Sequence, residues 1–144
     1  VAGETAQFIV IRLGQEQYGI DISYIENIVR MQHITRVPKL APYLKGVINL
    51  RGEVIPIMCL SMKMGLPVEE ETKASRIIII KMEQCGTLGL IVDEVKEVVT
   101  LDMTEQVEKL AFKKEDKSNF VQGVGKCAGG LISLLDLNAV TAEK

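Results

Sequence analysis

The sequence predicts a mainly β protein, built as two small barrels packed over one shared apolar seam. Two observations carry this: runs of branched residues separated by short glycine turns, and an internal repeat that splits the chain into two copies of one unit. A third, the shortness of every helical signal, argues against a mixed α/β architecture.

Taken in order, "AQFIVIRL" (6–13) and "RIIIIKM" (76–82) are rich in residues that pack well on a pleated surface. "YGIDI" (18–22) and "LGLIV" (88–92) follow them after turns containing Gly14 and Gly86, so each pair reads as a hairpin. Helical readings fall on "APYLKG" (41–46) with Gly46 as C-cap, "LSMKMG" (60–65), and the tail 136–144. Pro56 cannot donate to a ladder, which predicts an edge strand or a bulge there.

The repeat has two blocks. "YGIDISYIENIV" lies over "LGLIVDEVKEVV" at an offset of 70 residues (18 to 88), apolar on apolar and Gly19 on Gly89. "GVINLRGEVIPIMCL" lies over "GVGKCAGGLISLLDL" at an offset of 77 (46 to 123), with Gly46/Gly123, Gly52/Gly129, Ile55/Ile132 and Leu60/Leu137 identical. The charged stretch 108–119 absorbs the difference as a loop. A unit of about 70 residues has a marginal core alone, so the copies are expected to bury apolar surface against each other.

The chain has 144 residues, with 17 Lys plus Arg against 19 Asp plus Glu, a net charge of −2. That balance, with 4% aromatics and no Trp, counts against a nucleic-acid binder. Cys59, Cys85 and Cys127 are scattered, with no CxxC pair, and read as free thiols of a reducing compartment. No run is long enough to span a membrane, and nothing reads as a signal peptide, so a cytoplasmic location is expected.

No catalytic set emerges. His33 is the single histidine and has neither a nucleophile elbow nor a cysteine signature beside it; it reads as a loop residue. One His and three dispersed Cys do not make a metal site. "GVGKCA" (123–128) fits a glycine fingerprint formally, but a strand-like run follows it, and the repeat aligns it with the 46–60 hairpin, so it reads as a turn. Glu69–Glu71 and Asp93–Glu94 read as solvated charge. What remains is a non-enzymatic binding module without metal or cofactor. The alternatives are a small-barrel nucleic-acid-binding module and an enzyme using His33.

The repeat also isolates an asymmetry. Copy one has Arg51 where copy two has Ala128, and Asn49 where copy two has Lys126. A residue needed only to form the hairpin should recur. Arg51 is thus a candidate for function, offering a fixed fork of donors suited to a partner carboxylate.

"YGIDISYIENI", "ITRVP" and "YLKGVINLRGEVIPI", continued through "GLIVDEVKEV" and "GLISLLDL", closely resemble the CheW family of bacterial chemotaxis coupling proteins over nearly the whole chain. The resemblance implies one domain over 1–144 with two five-stranded barrels of the Src-homology-3 (SH3-like) type over a shared core. Subdomain 1 would span about 15–75 and subdomain 2 about 76–135, with exchange of the N-terminal strand and C-terminal segment allowed. It implies a non-catalytic scaffold joining the histidine kinase CheA, through its regulatory domain, to the cytoplasmic tips of chemoreceptors, recruited to membrane receptor arrays. Carried over by position, the receptor-facing residues are Arg51, Gly46, Ile25 and Asn27, although the family often has Glu where this chain has Asn27. Val95, Val98 and Val99 are the candidates for kinase contact. The family also often has Asp where this chain has Cys59, which implies a lost structural hydrogen bond in copy one, while Asp136 keeps the acid in copy two.

Overall fold

The structure, a computed structural model, describes residues 5–39, 42–67, 72–83, 86–102, 107–109, 120–127 and 130–141. β1 (Thr5–Leu13) and β2 (Glu16–Asp21) form a hairpin, followed by a 3-10 turn at Ile22–Tyr24 and β3 (Ile25–Arg30). A second hairpin joins β4 (Leu44–Leu50) to β5 (Glu53–Cys59) and runs into the short helix α1 (Leu60–Lys63). The pattern then repeats: β6 (Arg76–Met82) with β7 (Gly86–Val92), β8 (Glu94–Asp102), the three-residue β9 (Val107–Lys109), the hairpin β10 (Val121–Cys127) with β11 (Gly130–Leu135), and α2 (Leu137–Thr141).

The strands make two sheets. One has five strands in the order β3-β6-β7-β5-β4; the other has six, β8-β1-β2-β11-β10-β9, because β9 adds a strand to the five expected. Sheet membership does not follow a division at 75/76. The first hairpin of each copy is inserted into the sheet of the other: β6–β7 sits between β3 and β5, and β1–β2 between β8 and β11.

The exchange is reciprocal down to single residues. β5 runs parallel to β7 with Ile57 beside Gly89, and β11 runs parallel to β2 with Leu134 beside Gly19. Gly19 and Gly89 are the pair related by the offset of 70, and Ile57 and Leu134 the pair related by 77. A Cβ on Gly89 would lie 2.5 Å from Ile57 Cδ1, and one on Gly19 would lie 2.9 Å from Leu134 Cδ2. Each glycine therefore exists to let the parallel neighbour's side chain cross it.

Burial explains the unbroken apolar runs. Phe8 and Val10 pack with Ile132 and Leu134 inside one barrel, and Ile77 and Ile79 pack with Ile55 and Ile57 inside the other. The alternate residues of the same strands, Ile9, Ile11 and Leu13 with Ile78, Ile80 and Met82, face the seam. The middles of β1 and β6, Phe8–Ile11 and Ile77–Ile80, are covered on both faces, so they need apolar residues at successive positions rather than an alternation. Tyr18, Ile20, Leu88 and Leu90 join them, with Met58 and Leu60 matched by Leu135 and Leu137. Burial of each large side chain contributes about 1.5–3 kcal/mol, so this seam holds the copies together. Where one barrel has Ile48, the other has Gly125, and Leu101 fills the space, its Cδ1 2.6 Å from where a Cβ would stand.

Four sequence readings need correction. The helix read at 41–46 is a turn leading into β4, which begins at Leu44; Ala41 lies outside the described residues. The 123–127 part of "GVGKCA" is a strand rather than a turn, and Ala128 lies outside the described residues. Pro56 is on an interior strand. Because β5 meets β7 only over Ile57–Cys59, the chain at Pro56 is unpaired on that side, which is how the missing N–H is tolerated. Asp93 and Glu94 are engaged rather than merely solvated. Asp93 Oδ2 accepts from Gly14 N–H at 2.6 Å and Glu94 Oε1 from Arg12 Nε at 3.0 Å, tying the β1–β2 turn to the β7–β8 junction. Half-exposed as it is, the Arg12–Glu94 pair contributes at most about 1 kcal/mol. Glu69–Glu71 and Cys85 lie outside the described residues.

Candidate functional site

The β4–β5 hairpin turns on two residues, since Leu50 pairs with Glu53. Both central residues have positive φ, 54° at Arg51 and 85° at Gly52. That is the handedness a two-residue hairpin needs to match the twist of its strands, and Asn-Gly supplies it most easily. Asn49 Oδ1 braces the turn by accepting from Gly52 N–H at 3.0 Å. Arg51 is thus held in a conformation that costs an L-residue with a Cβ roughly 1–2 kcal/mol. Its side chain is exposed and has no hydrogen-bond or ion-pair partner among the described residues. A cation in a strained position, presented without an internal partner, contributes nothing evident to the fold.

Gly46 is different in kind. It is buried, has φ +140°, and sits at a register shift between β4 and β5. A Cβ there would occupy the space of the Thr35 carbonyl. The glycine lets the segment after β3 close onto β4, where Thr35 and Val47 exchange hydrogen bonds of 2.8 and 2.9 Å. Gly46 therefore shapes the barrel wall that carries the hairpin and offers no contact group of its own.

Ile25 and Asn27 lie on β3, at the opposite edge of the five-stranded sheet from β4. A bulge falls between them opposite Ile80 and Ile79. Ile25 is half-buried against the seam, and Asn27 turns its Oδ1 onto the neighbouring Ile28 N–H at 2.8 Å. Sheet order places two strands, β6 and β7, between these residues and the Arg51 hairpin; the Thr35–Val47 bridge is the link that curls one edge toward the other.

β8 is the outer strand of the six-stranded sheet. Val95 packs on the seam and Val99 on the second barrel core, both half-buried. Val98 is 49% exposed, which answers which valine faces outward. Lys96 has no partner where the register shifts between Val95 and Glu97, and an unpaired lysine at a bulge deters indiscriminate strand addition at an edge.

Two further residues escaped the sequence reading. Val54 is 62% exposed and Leu131 65%, and they are related by the offset of 77. Both alternate with inward Ile55 and Ile132 on the strand leaving a hairpin turn. The signal was present as an apolar match on the outward parity of both copies.

Residues 7–144 match the family model of the CheW-like domain. The chain is 34% identical to the chemotaxis protein CheW of Bacillus subtilis, over 93% of this chain and 85% of that one. It is 31% identical to the chemotaxis protein CheW of Helicobacter pylori, over 95% and 82%. The crystal structure of the scaffolding protein TtCheW from Thermoanaerobacter tengcongensis superposes with a TM-score of 0.87 at 30% identity, covering 98% of this chain and 95% of that one. The reciprocal two-sheet architecture, the repeat and these likenesses agree: the chain belongs to the CheW-like domain family of chemotaxis scaffolds.

Proposed function

We propose that the chain is a non-catalytic scaffold that couples the histidine kinase CheA to the cytoplasmic tips of chemoreceptors, and that these contacts recruit it to membrane receptor arrays. The observation that supports this best is Arg51: an exposed guanidinium without a partner among the described residues, on a rigid turn that would be less strained without it. Gly46 sets the wall behind that turn, and Ile25 and Asn27 form the second part of the receptor face on β3. The kinase regulatory domain meets the β8 side, with Val98 as its apolar contact and Val95 and Val99 supporting the strand from within. Among the described residues no helix is long and apolar enough to cross a membrane, which fits recruitment through protein contacts. The nucleic-acid alternative has no support in the family.

Co-sedimentation with receptor tips and CheA tests the proposal. Arg51→Glu should weaken receptor binding by about 2–5 kcal/mol if the contact is desolvated, and much less if it lies on a wet rim. It should leave binding to the kinase regulatory domain unchanged, while Val98→Glu should do the reverse. Equal loss of both partners in Arg51→Glu, or unchanged receptor affinity in a folded variant, would overturn the two-surface reading.

A further inference from the structure

Arg30 and Arg76 stand directly opposite each other on the antiparallel pair β3–β6. Like charges at directly opposed positions repel, and a sheet ordinarily avoids them. Here they line an open cleft of about 700 Å³ together with Met31, Thr72, Lys73 and Ser75, so three cations and no carboxylate among the described residues border one space. This happens in a chain whose net charge is −2.

The cluster is built rather than incidental. Arg76 Nη1 donates to Lys73 O at 2.7 Å and to Ser75 O at 2.8 Å, which fixes the guanidinium at the entrance of its strand. The turn behind it is locked by its own hydroxyls. Thr72 N–H donates to Ser75 Oγ at 2.9 Å and Ala74 N–H to Thr72 Oγ1 at 3.1 Å. Arg30 Nη and Nε groups have no acceptor among the described residues. Two forked donors with repelling charges, the Arg76 one held in place, are stabilised by an anion that bridges them, and guanidinium forks suit phosphate oxygens.

We propose that this cleft binds a phosphate-class oxyanion carrying two or more negative charges, held between Arg30 and Arg76 with Lys73 alongside. Three cations call for more charge than a single carboxylate brings, and the volume lies in the range of small-ligand sites. The site is separate from Arg51 and from β8, and it does not depend on the coupling role.

Calorimetric titration with pyrophosphate at constant ionic strength tests it, with succinate as the comparison dianion. Saturable binding at least tenfold tighter for pyrophosphate than for succinate is expected. Arg30→Gln and Lys73→Gln should each weaken it at least tenfold, and Lys81→Gln, exposed elsewhere on β6, should not. Arg30→Gln should also melt no lower than the parent chain at low salt, because it relieves the opposed pair. Glu69, Glu70 and Glu71 precede the turn in sequence; changing all three to Gln should leave binding at least as tight. Absence of saturable binding, equal affinity for succinate, indifference to Arg30→Gln and Lys73→Gln, or weaker binding in the triple Gln variant would each overturn the proposal.

Discussion

Replacing Gly46 with Ala should be far costlier than the same change at Gly52, although both glycines have positive φ and lie on one hairpin. At Gly52, φ is +85° and nothing stands within 4 Å of the new methyl group, so the cost is conformational alone, about 1–2 kcal/mol. At Gly46, φ is +140° and the new Cβ would collide with the Thr35 carbonyl, whose oxygen is backbone and cannot swing aside as a side chain can. Relief of the collision means opening the Thr35–Val47 bridge, with its hydrogen bonds of 2.8 and 2.9 Å. Two such bonds contribute about 0.5–1.5 kcal/mol each, and the backbone strain adds about 1–3 kcal/mol. The total of about 2–6 kcal/mol is a large share of a typical stability of about 5–15 kcal/mol. Urea melts of Gly46→Ala and Gly52→Ala, read by circular dichroism, measure the difference. Equal losses in the two variants would show that Gly46 is needed only for its dihedral angle and that the close approach of Thr35 carries no weight.

Three more outcomes are expected. Arg51→Gly should stabilise the chain by about 1 kcal/mol, or roughly 3 °C in Tm, while lowering receptor affinity; a fall in Tm would mean that the guanidinium does support the fold. Cys59 stands at the N-cap of α1 without a side-chain cap bond, whereas its repeat partner Asp136 accepts from Asn138 N–H at 3.1 Å and Ala139 N–H at 3.4 Å on α2; Cys59→Asp should therefore gain about 1 kcal/mol at neutral pH, read by urea melts, and destabilisation would refute the equivalence of the caps. Burial, reinforced by the nearby Glu16 charge, pushes the Tyr18 hydroxyl above the ordinary tyrosine range. The folded state then keeps a proton that the unfolded chain loses, so this contribution is complete below about pH 10 and disappears as pH rises through the folded value; Tyr18→Phe should flatten that alkaline decline, and an identical pH profile in the two proteins would refute it.

Much of the fold was legible because its strongest strands carry their environment in their composition. β1 and β6 carry unbroken apolar runs, Phe8–Ile11 and Ile77–Ile80, which only a segment covered on both faces requires, and the repeat was visible in residue matches. The exchange of hairpins was not legible: matching Gly19 to Gly89 shows that they are alike, not that each lies under the other copy's strand. Sheet pairing is non-local, and periodicity cannot assign it. β3 and β8 were missed as strands because half-exposed, bulged edges such as "IENIVR" and "EVKEVV" mix polar and apolar residues without clean alternation. The misread helix at 41–46 came from taking Gly46 for a cap, when its positive φ serves a bulge inside a strand. At the site, Arg51 stood out as a break in the repeat. Val98 could not be told from Val95 and Val99 by sequence, because a bulge at Lys96 shifts the parity along β8.

The hairpin exchange also sets a timetable for synthesis. β5 ends at Cys59, but its parallel neighbour β7 is complete only at Val92. At about 5–20 residues per second, the intervening 33 residues take roughly 2–7 s on the ribosome. During that interval the free edge of β5 has one look-alike within reach, β2, the repeat counterpart of β7. A nascent chain that paired β5 with β2 would close its first copy on itself, the arrangement that the native exchange replaces. Such a pairing would have to open before β7 could take its native place beside β5.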